Sequence, residues 1–251
     1  MNIDALVQEL FDKADAQLLA SAISIPEGQF LRSLIQKHDI QNTIEIGCAN
    51  GISSLFICDA LRTKSSPHHV MIDPYQTTQH AGKGIANLKR ANISFAELIE
   101  KPSEIALPQL LDQGRRFEFG FIDGYHTFDH ALLDFFYLNR LVTVGGLIAL
   151  DDNNIPSVNK AARYIAKYSC YRLVGTVKGR GIKRRFLNSV KLVIGAGLFP
   201  FTKLAGNALS HEFLDDSLVR PKSIRDLDDS TMVAFQKVAE DERSHFWYEY
   251  F

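Results

Sequence analysis

From residue 43 onward the chain alternates short apolar runs with segments whose apolar positions recur every three or four residues. The runs are Thr43 to Gly47, His69 to Asp73, Ile93 to Leu98, Glu118 to Ile122 and Gly146 to Leu150, with Tyr171 to Val177 and Thr231 to Val238 as a sixth and a seventh. Each is short and nearly continuously apolar, as strands covered on both faces are. Between the first five, the spacing predicts helices over residues 52–63, 79–91, 103–113 and 127–140. This alternation specifies an open, doubly wound α/β sheet that is mostly parallel, and such sheets bind ligands beyond the carboxyl ends of their strands.

Ahead of the first strand, Ile3, Leu6, Val7, Leu10, Phe11, Ala14 and Leu18 fall at helical intervals and predict one amphipathic helix over residues 3–20. Ser24 to Gln29 reads as a turn, with Pro26 near the start of a second helix that carries Phe30, Leu31, Leu34 and Ile35 and ends near His38. The chain therefore divides into an N-terminal helical cover (1–40), an α/β core (41–177), an insertion (178–229) and a last strand with an aromatic tail (230–251), all one domain.

Composition narrows the classes. A content of 46% hydrophobic and 23% charged residues is that of a soluble globular protein. A net charge of -1 argues against wholesale nucleic-acid binding. Residues 1–10 show no leader pattern, and the three cysteines, Cys48, Cys58 and Cys170, lack metal-type spacing, so a cytoplasmic protein is expected. No apolar run reaches membrane-spanning length.

The chemistry concentrates at the strand ends. Glu45-Ile46-Gly47-Cys48-Ala49-Asn50-Gly51 lies at the first strand–helix junction, where Gly47 and Gly51 let the backbone turn sharply and a ligand approach closely. Its glycine spacing, Gly-x-x-x-Gly, departs from the Gly-x-Gly-x-x-Gly of dinucleotide sites. With Glu45 it resembles the first motif of class I S-adenosylmethionine-dependent methyltransferases. Ser24 to Leu31 is similar to the segment before that motif in small-molecule O-methyltransferases. Phe121-Ile122-Asp123-Gly124-Tyr125-His126 and Gly145-Gly146-Leu147-Ile148-Ala149-Leu150-Asp151-Asp152 are similar to the Asp-Gly-x-His and Gly-Gly-x-x-x-x-Asp-Asp segments of one bacterial branch.

The resemblance implies a Rossmann-like seven-stranded sheet with an antiparallel last strand. It implies S-adenosylmethionine bound by Glu45, Gly47, Cys48, Ala49, Asn50, Gly51 and Asp123, with Asp73 on the ribose hydroxyls. Where that family often carries Gly-Asp to contact the adenine, this chain reads Glu100-Lys101-Pro102-Ser103, which leaves Ser103 or a backbone amide for the contact.

Asp73, Asp123, Asp151 and Asp152 all fall at carboxyl ends of strands, and carboxylates that close repel unless a cation or donors hold them. Neighbouring fourth and fifth strands would set Asp123 about 5 Å from the Asp151–Asp152 pair. An all-oxygen set of this kind suits a hard divalent cation, Mg²⁺ first. In the metal-dependent O-methyltransferases that the chain resembles, the corresponding acids hold an ion that chelates the acceptor hydroxyl. The structural alternative is that these acids cap the helices near Thr127 and Ile155. His126 is the candidate base, with Tyr125, Asp129 and His130 as weaker candidates and His130 placed to orient His126 from one helical turn away.

After Asp152 no acid occurs until Glu212, while Lys178, Arg180, Lys183, Arg184, Arg185, Lys191 and Lys203 do. The insertion between the last two strands is open to three readings: a lid over a small-molecule acceptor, a dimerisation arm, or a peripheral membrane contact without insertion. The C-terminal aromatics from Phe246 to Phe251 are expected to pack, on their own domain or on a second copy. For function, an S-adenosylmethionine-dependent, metal-assisted O-methyltransferase is expected. A metal-independent O- or N-methyltransferase and a non-catalytic ligand-binding module are the rival readings.

Overall fold

The computed structural model describes residues 2–179 and 227–248. Three helices precede the sheet: α1 (Ile3–Asp12), α2 (Ala16–Ser21) and α3 (Ile25–Lys37). The core then runs β1 (Asn42–Ile46), α4 (Ile52–Leu61), β2 (His68–Ile72), α5 (Lys83–Arg90), β3 (Ala96–Ile99), α6 (Ser103–Asp112) and β4 (Phe117–Ile122). It continues with α7 (Phe128–Leu141), β5 (Val142–Leu150), α8 (Pro156–Ile165), β6 (Tyr171–Lys178) and β7 (Ser230–Lys237).

The seven strands form one sheet in the order β3-β2-β1-β4-β5-β7-β6. All pairings from β3 to β5 are parallel, and β7 runs antiparallel to both its neighbours. Side chains alternate between two apolar layers. Ile44, Ile46, Val70 and Ile72 meet α6, α7 and α8 on one face, while Met71, Phe119, Phe121 and Ala149 meet α1, α3, α4 and α5 on the other. The β4–β5 register shifts between Phe117 and Phe119, and these two aromatics fall into opposite layers.

Two expectations for the N-terminal cover need correction. The helix expected over residues 3–20 is two, because the chain breaks at Lys13 and the Asp15 carboxylate takes the Leu18 amide at 2.8 Å to start α2. The expected turn before Phe30 is already the first turn of α3. There Glu27 accepts hydrogen bonds from both the Ser24 amide and the Ser24 hydroxyl, each at 2.7 Å. In the core, β3 begins at Ala96 rather than Ile93, whose side chain is buried in the preceding turn.

The insertion expected to act as lid, arm or membrane contact lies outside the described residues except at its two ends. Of the described part of the tail, Arg243 and Trp247 pack on the chain's own domain. Arg243 sits over the Tyr168 ring at 3.4 Å and the Trp247 ring at 4.4 Å, pairs with Asp241, and Trp247 meets Tyr168 edge-on. Phe246 and Tyr248 stay exposed. No helix among the described residues is long and apolar enough to cross a membrane.

Candidate active site

The order of the sheet reverses between β1 and β4, the place where an open α/β sheet leaves a crevice above its strand ends. A backbone ladder builds the floor of that crevice. The amide of Asp73 bonds to Ile99 O at 3.2 Å, that of Gly47 to Ile72 O at 2.8 Å, that of Asp123 to Ile46 O at 2.9 Å and that of Asp151 to Ile122 O at 3.0 Å. Parallel pairing thus continues one residue past each strand, which fixes Asp73, Asp123 and Asp151 on one rim. Gly47 has φ 82°, and a Cβ on it would lie 2.0 Å from the carbonyl oxygen of Asp123. Only glycine permits the first-motif loop to meet the Asp123 loop this closely.

Above this rim lies a cavity of about 1740 Å³ lined by the rim residues, the first turn of α3 and the ends of β6 and β7. Of the residues expected to bind a cofactor, Gly47, Ala49, Asp73, Ser103 and Asp123 line it. Glu45, Cys48, Asn50 and Gly51 stand behind its wall. Glu45 is fully buried, accepts from the Ser54 hydroxyl and lies 3.1 Å from His69 Nε2, so it braces β1 against α4 and β2. Asn50 donates to the Ser21 hydroxyl at 3.0 Å and ties the loop to α2.

Asp73 is 3% exposed, and its carboxylate accepts the amides of Ala49 (2.8 Å), Cys48 (3.2 Å) and Tyr75 (2.8 Å) and the Gln76 side-chain amide (3.2 Å). Burial works against its ionisation, but these four donors outweigh burial and hold the carboxyl below its usual range. Asp73 therefore organises the first-motif loop as well as facing the cavity.

The acids on the β4–β5 side are arranged differently. Burial, then repulsion from Asp151 and Asp152, pushes Asp123 well above the ordinary carboxylate range. Burial, then Glu27 and Asp152, raises Asp151; burial raises Asp152, with His126 opposing. None of these side chains caps α7 or α8, whose N-terminal positions are Thr127 and Ile155 without a side-chain cap. The capping alternative does not explain them.

Ligand atoms of Asp123, His126 and Asp152 lie within 4.8 Å of one another, with His126 Nε2 3.2 Å from Asp152 Oδ2. The grouping differs from the expected Asp123–Asp151–Asp152 set: the imidazole stands with two of the acids, and Asp151 is buried beside them on the same wall. Carboxylates crowded without capping duty, with one imidazole, fit a hard divalent cation. His130 does not orient His126. It bonds to the Thr127 hydroxyl at 2.8 Å and packs on Tyr125 with ring centroids 5.0 Å apart, while Asp129 points to solvent beside it.

Two acids on the cavity wall escaped the sequence reading. Glu27 belongs to the Ser-x-x-Glu pattern that starts α3, a legible signal for a capping box that does not say which way the carboxylate faces. Glu104 follows Ser103 in the first turn of α6 and puts an acid on the wall two places after Pro102, where the family motif carries one.

Residues 44–153 match the family model described as a methyltransferase domain. The chain is 31% identical over 137 residues to caffeoyl-CoA O-methyltransferase 2 of Petunia hybrida, covering 51% of this chain and 52% of that protein. It is 28% identical over 174 residues to a catechol O-methyltransferase of Niastella koreensis, covering 65% of this chain and 77% of that one. The chain thus spans about half the length of the plant relatives it matches. Its fold is that of an O-methyltransferase from Bacillus cereus solved with S-adenosylhomocysteine, with a TM-score of 0.61, 22% identity, and coverage of 70% of this chain and 84% of that one.

Proposed function

We propose that this chain is a cytoplasmic class I S-adenosylmethionine-dependent methyltransferase that methylates a hydroxyl group of a small-molecule acceptor, a reading that its motifs, its matched domain and its fold support. The observation that carries the reading is one cavity whose wall joins the first-motif loop and Asp73 to the Asp123–His126–Asp152 cluster. A cofactor and an acceptor in that space would share the floor formed by Gly47 and Asp123.

Within this reading Ala49, Gly47 and Asp73 bind the cofactor from the β1–β2 side, and Asp73 offers its less-used oxygen, Oδ1, to the ribose. Ser103 and Glu104 face its nucleobase from the start of α6. S-adenosylmethionine supplies a methyl group on a positively charged sulfur. Asp123, Asp151 and Asp152 would hold Mg²⁺, which supplies the charge that makes a bound hydroxyl more acidic. His126 Nε2 stands beside Asp152 at the open side of the cluster, where it takes the acceptor proton as the oxygen attacks. The walls of α3 and β4 align oxygen and methyl and keep water out, the part of the acceleration that comes from positioning.

The position of His126 Nε2 among the acid oxygens favours one second reading, in which it is itself a ligand of the cation. His126→Asn separates the two. As a base, its loss lowers kcat roughly 100-fold with Mg²⁺ affinity unchanged. As a ligand, its loss weakens Mg²⁺ binding, and saturating Mg²⁺ restores kcat. Full activity of the variant at ordinary Mg²⁺ would remove His126 from both roles.

A further inference from the structure

The cavity extends past the acid cluster into a lane between α3 and the ends of β6 and β7, and the charges along it are unequal. At the near end stand Glu27, Asp123, Asp151 and Asp152. At the far end stands Lys178, which is the one lysine or arginine among the described residues that line the cavity.

The sheet measures the separation. The Asn153 amide, next to Asp152, bonds to Thr231 O on β7 at 2.7 Å, and Lys178 on β6 pairs with Ser230 on the far side of β7. Two strand spacings therefore separate the acid loop from Lys178, about 10 Å. The walls between are largely apolar and shaped: Pro26 and Phe30 share one face of α3, opposite Val177. The Phe30 ring is seated by the absence of a side chain at Gly175, where a Cβ would come within 2.8 Å of it. In sequence, Lys178 opens the basic run Arg180, Lys183, Arg184 and Arg185.

We propose that the acceptor is a flat hydroxylated molecule bearing a carboxylate or similar anionic group about 10 Å from the hydroxyl that is methylated, and that Lys178 recognises this anionic group. The inference rests on the methyltransferase reading above and adds a substrate class to it. The polar groups at the two ends orient the acceptor: its anionic end goes to Lys178, the one ammonium on the wall among the described residues, and its hydroxyl end to the cation that Asp123 and Asp152 would hold. The apolar lane holds the planar body between Phe30 and Val177.

Calorimetric titration of the full chain, in S-adenosylhomocysteine and Mg²⁺, tests this with two matched probes. These are 3-(3,4-dihydroxyphenyl)propionate and its uncharged counterpart 4-propylcatechol. The wild type should bind the propionate about fivefold more tightly, the size of effect that a partly exposed ion pair supports. Lys178→Met should bind both probes alike, and Lys178→Arg should keep the preference. Equal affinities in the wild type, an unchanged preference in Lys178→Met, or binding of neither probe overturns the proposal. Absence of S-adenosylhomocysteine binding is a separate result that removes the methyltransferase reading itself.

Discussion

The carboxyl of Asp134, on α7 behind Gly124, is 1% exposed and has no partner at ordinary hydrogen-bond distance among the described residues. Burial raises its pKa to about 6, with the Ser103 hydroxyl and His130 opposing and Glu104 adding to the rise. Between the ordinary carboxylate range and pH 6 the folded protein keeps a proton that the unfolded chain has released. Stability therefore falls as pH rises from about 4 through 6, by about 3 kcal/mol for this group. Asp134→Asn should flatten that part of the stability–pH curve, read by urea denaturation from pH 4 to pH 7.5; a curve parallel to the wild type would show that Asp134 does not titrate in this range. Asp123, Asp151 and Asp152 titrate with the same sign, so the comparison must be made as a difference between variant and wild type. At this scale the sequence was informative about position: alternating strands and helices are enough to put Asp73, Asp123, Asp151 and Asp152 on one rim. It was silent on partners. That Asp73 is already engaged by four donors, that Glu45 lies behind the wall, and that His126 stands with Asp123 and Asp152 all depend on how loops return, which no local pattern encodes.

Among the elements, α3 carries the most consequence for the site, because its first two turns present Pro26, Glu27 and Phe30 to the cavity while its opposite face packs on α4. The contact with α4 depends on Gly28, where a Cβ would lie 2.1 Å from the Phe56 ring, a ring that is itself fully buried. Gly28→Ala should cost about 1–3 kcal/mol through overpacking, despite alanine's better helix propensity. Pairing it with Phe56→Leu should return part of the loss; additive losses in urea unfolding would mean the two side chains do not compete for that space. Helix α3 was legible from the period of Phe30, Leu31, Leu34 and Ile35, but its start was not, since Pro26 and Gly28 imitate a turn. The break between α1 and α2 was hidden for the converse reason: the apolar period from Ile3 to Leu18 continues across it, and only the Asp15 cap interrupts the helix.

For the molecule as a whole, sheet order decides function. Reversal between β1 and β4 opens the crevice, the backbone ladder carries the acids to its rim, and β7, inserted between β5 and β6, sets the length of the lane that leads to Lys178. The parallel half of this arrangement follows from the alternating pattern in the sequence. The antiparallel direction of the last strand came from family resemblance and its place between β5 and β6 from the structure, because antiparallel pairing after a long insertion leaves no periodic trace. Under the proposed function, one cavity holds S-adenosylmethionine and a divalent cation on separate sets of residues. Calorimetric titration of S-adenosylmethionine and of Mg²⁺ into the wild type, Asp73→Ala and the double variant Asp123→Asn with Asp152→Asn tests it most directly. The account predicts that Asp73→Ala loses the cofactor and keeps Mg²⁺, while the double variant loses Mg²⁺ and retains cofactor affinity within about tenfold. Cofactor binding without detectable Mg²⁺ in the wild type would contradict the metal site and leave a metal-independent methyltransferase; no binding of either would contradict the account as a whole.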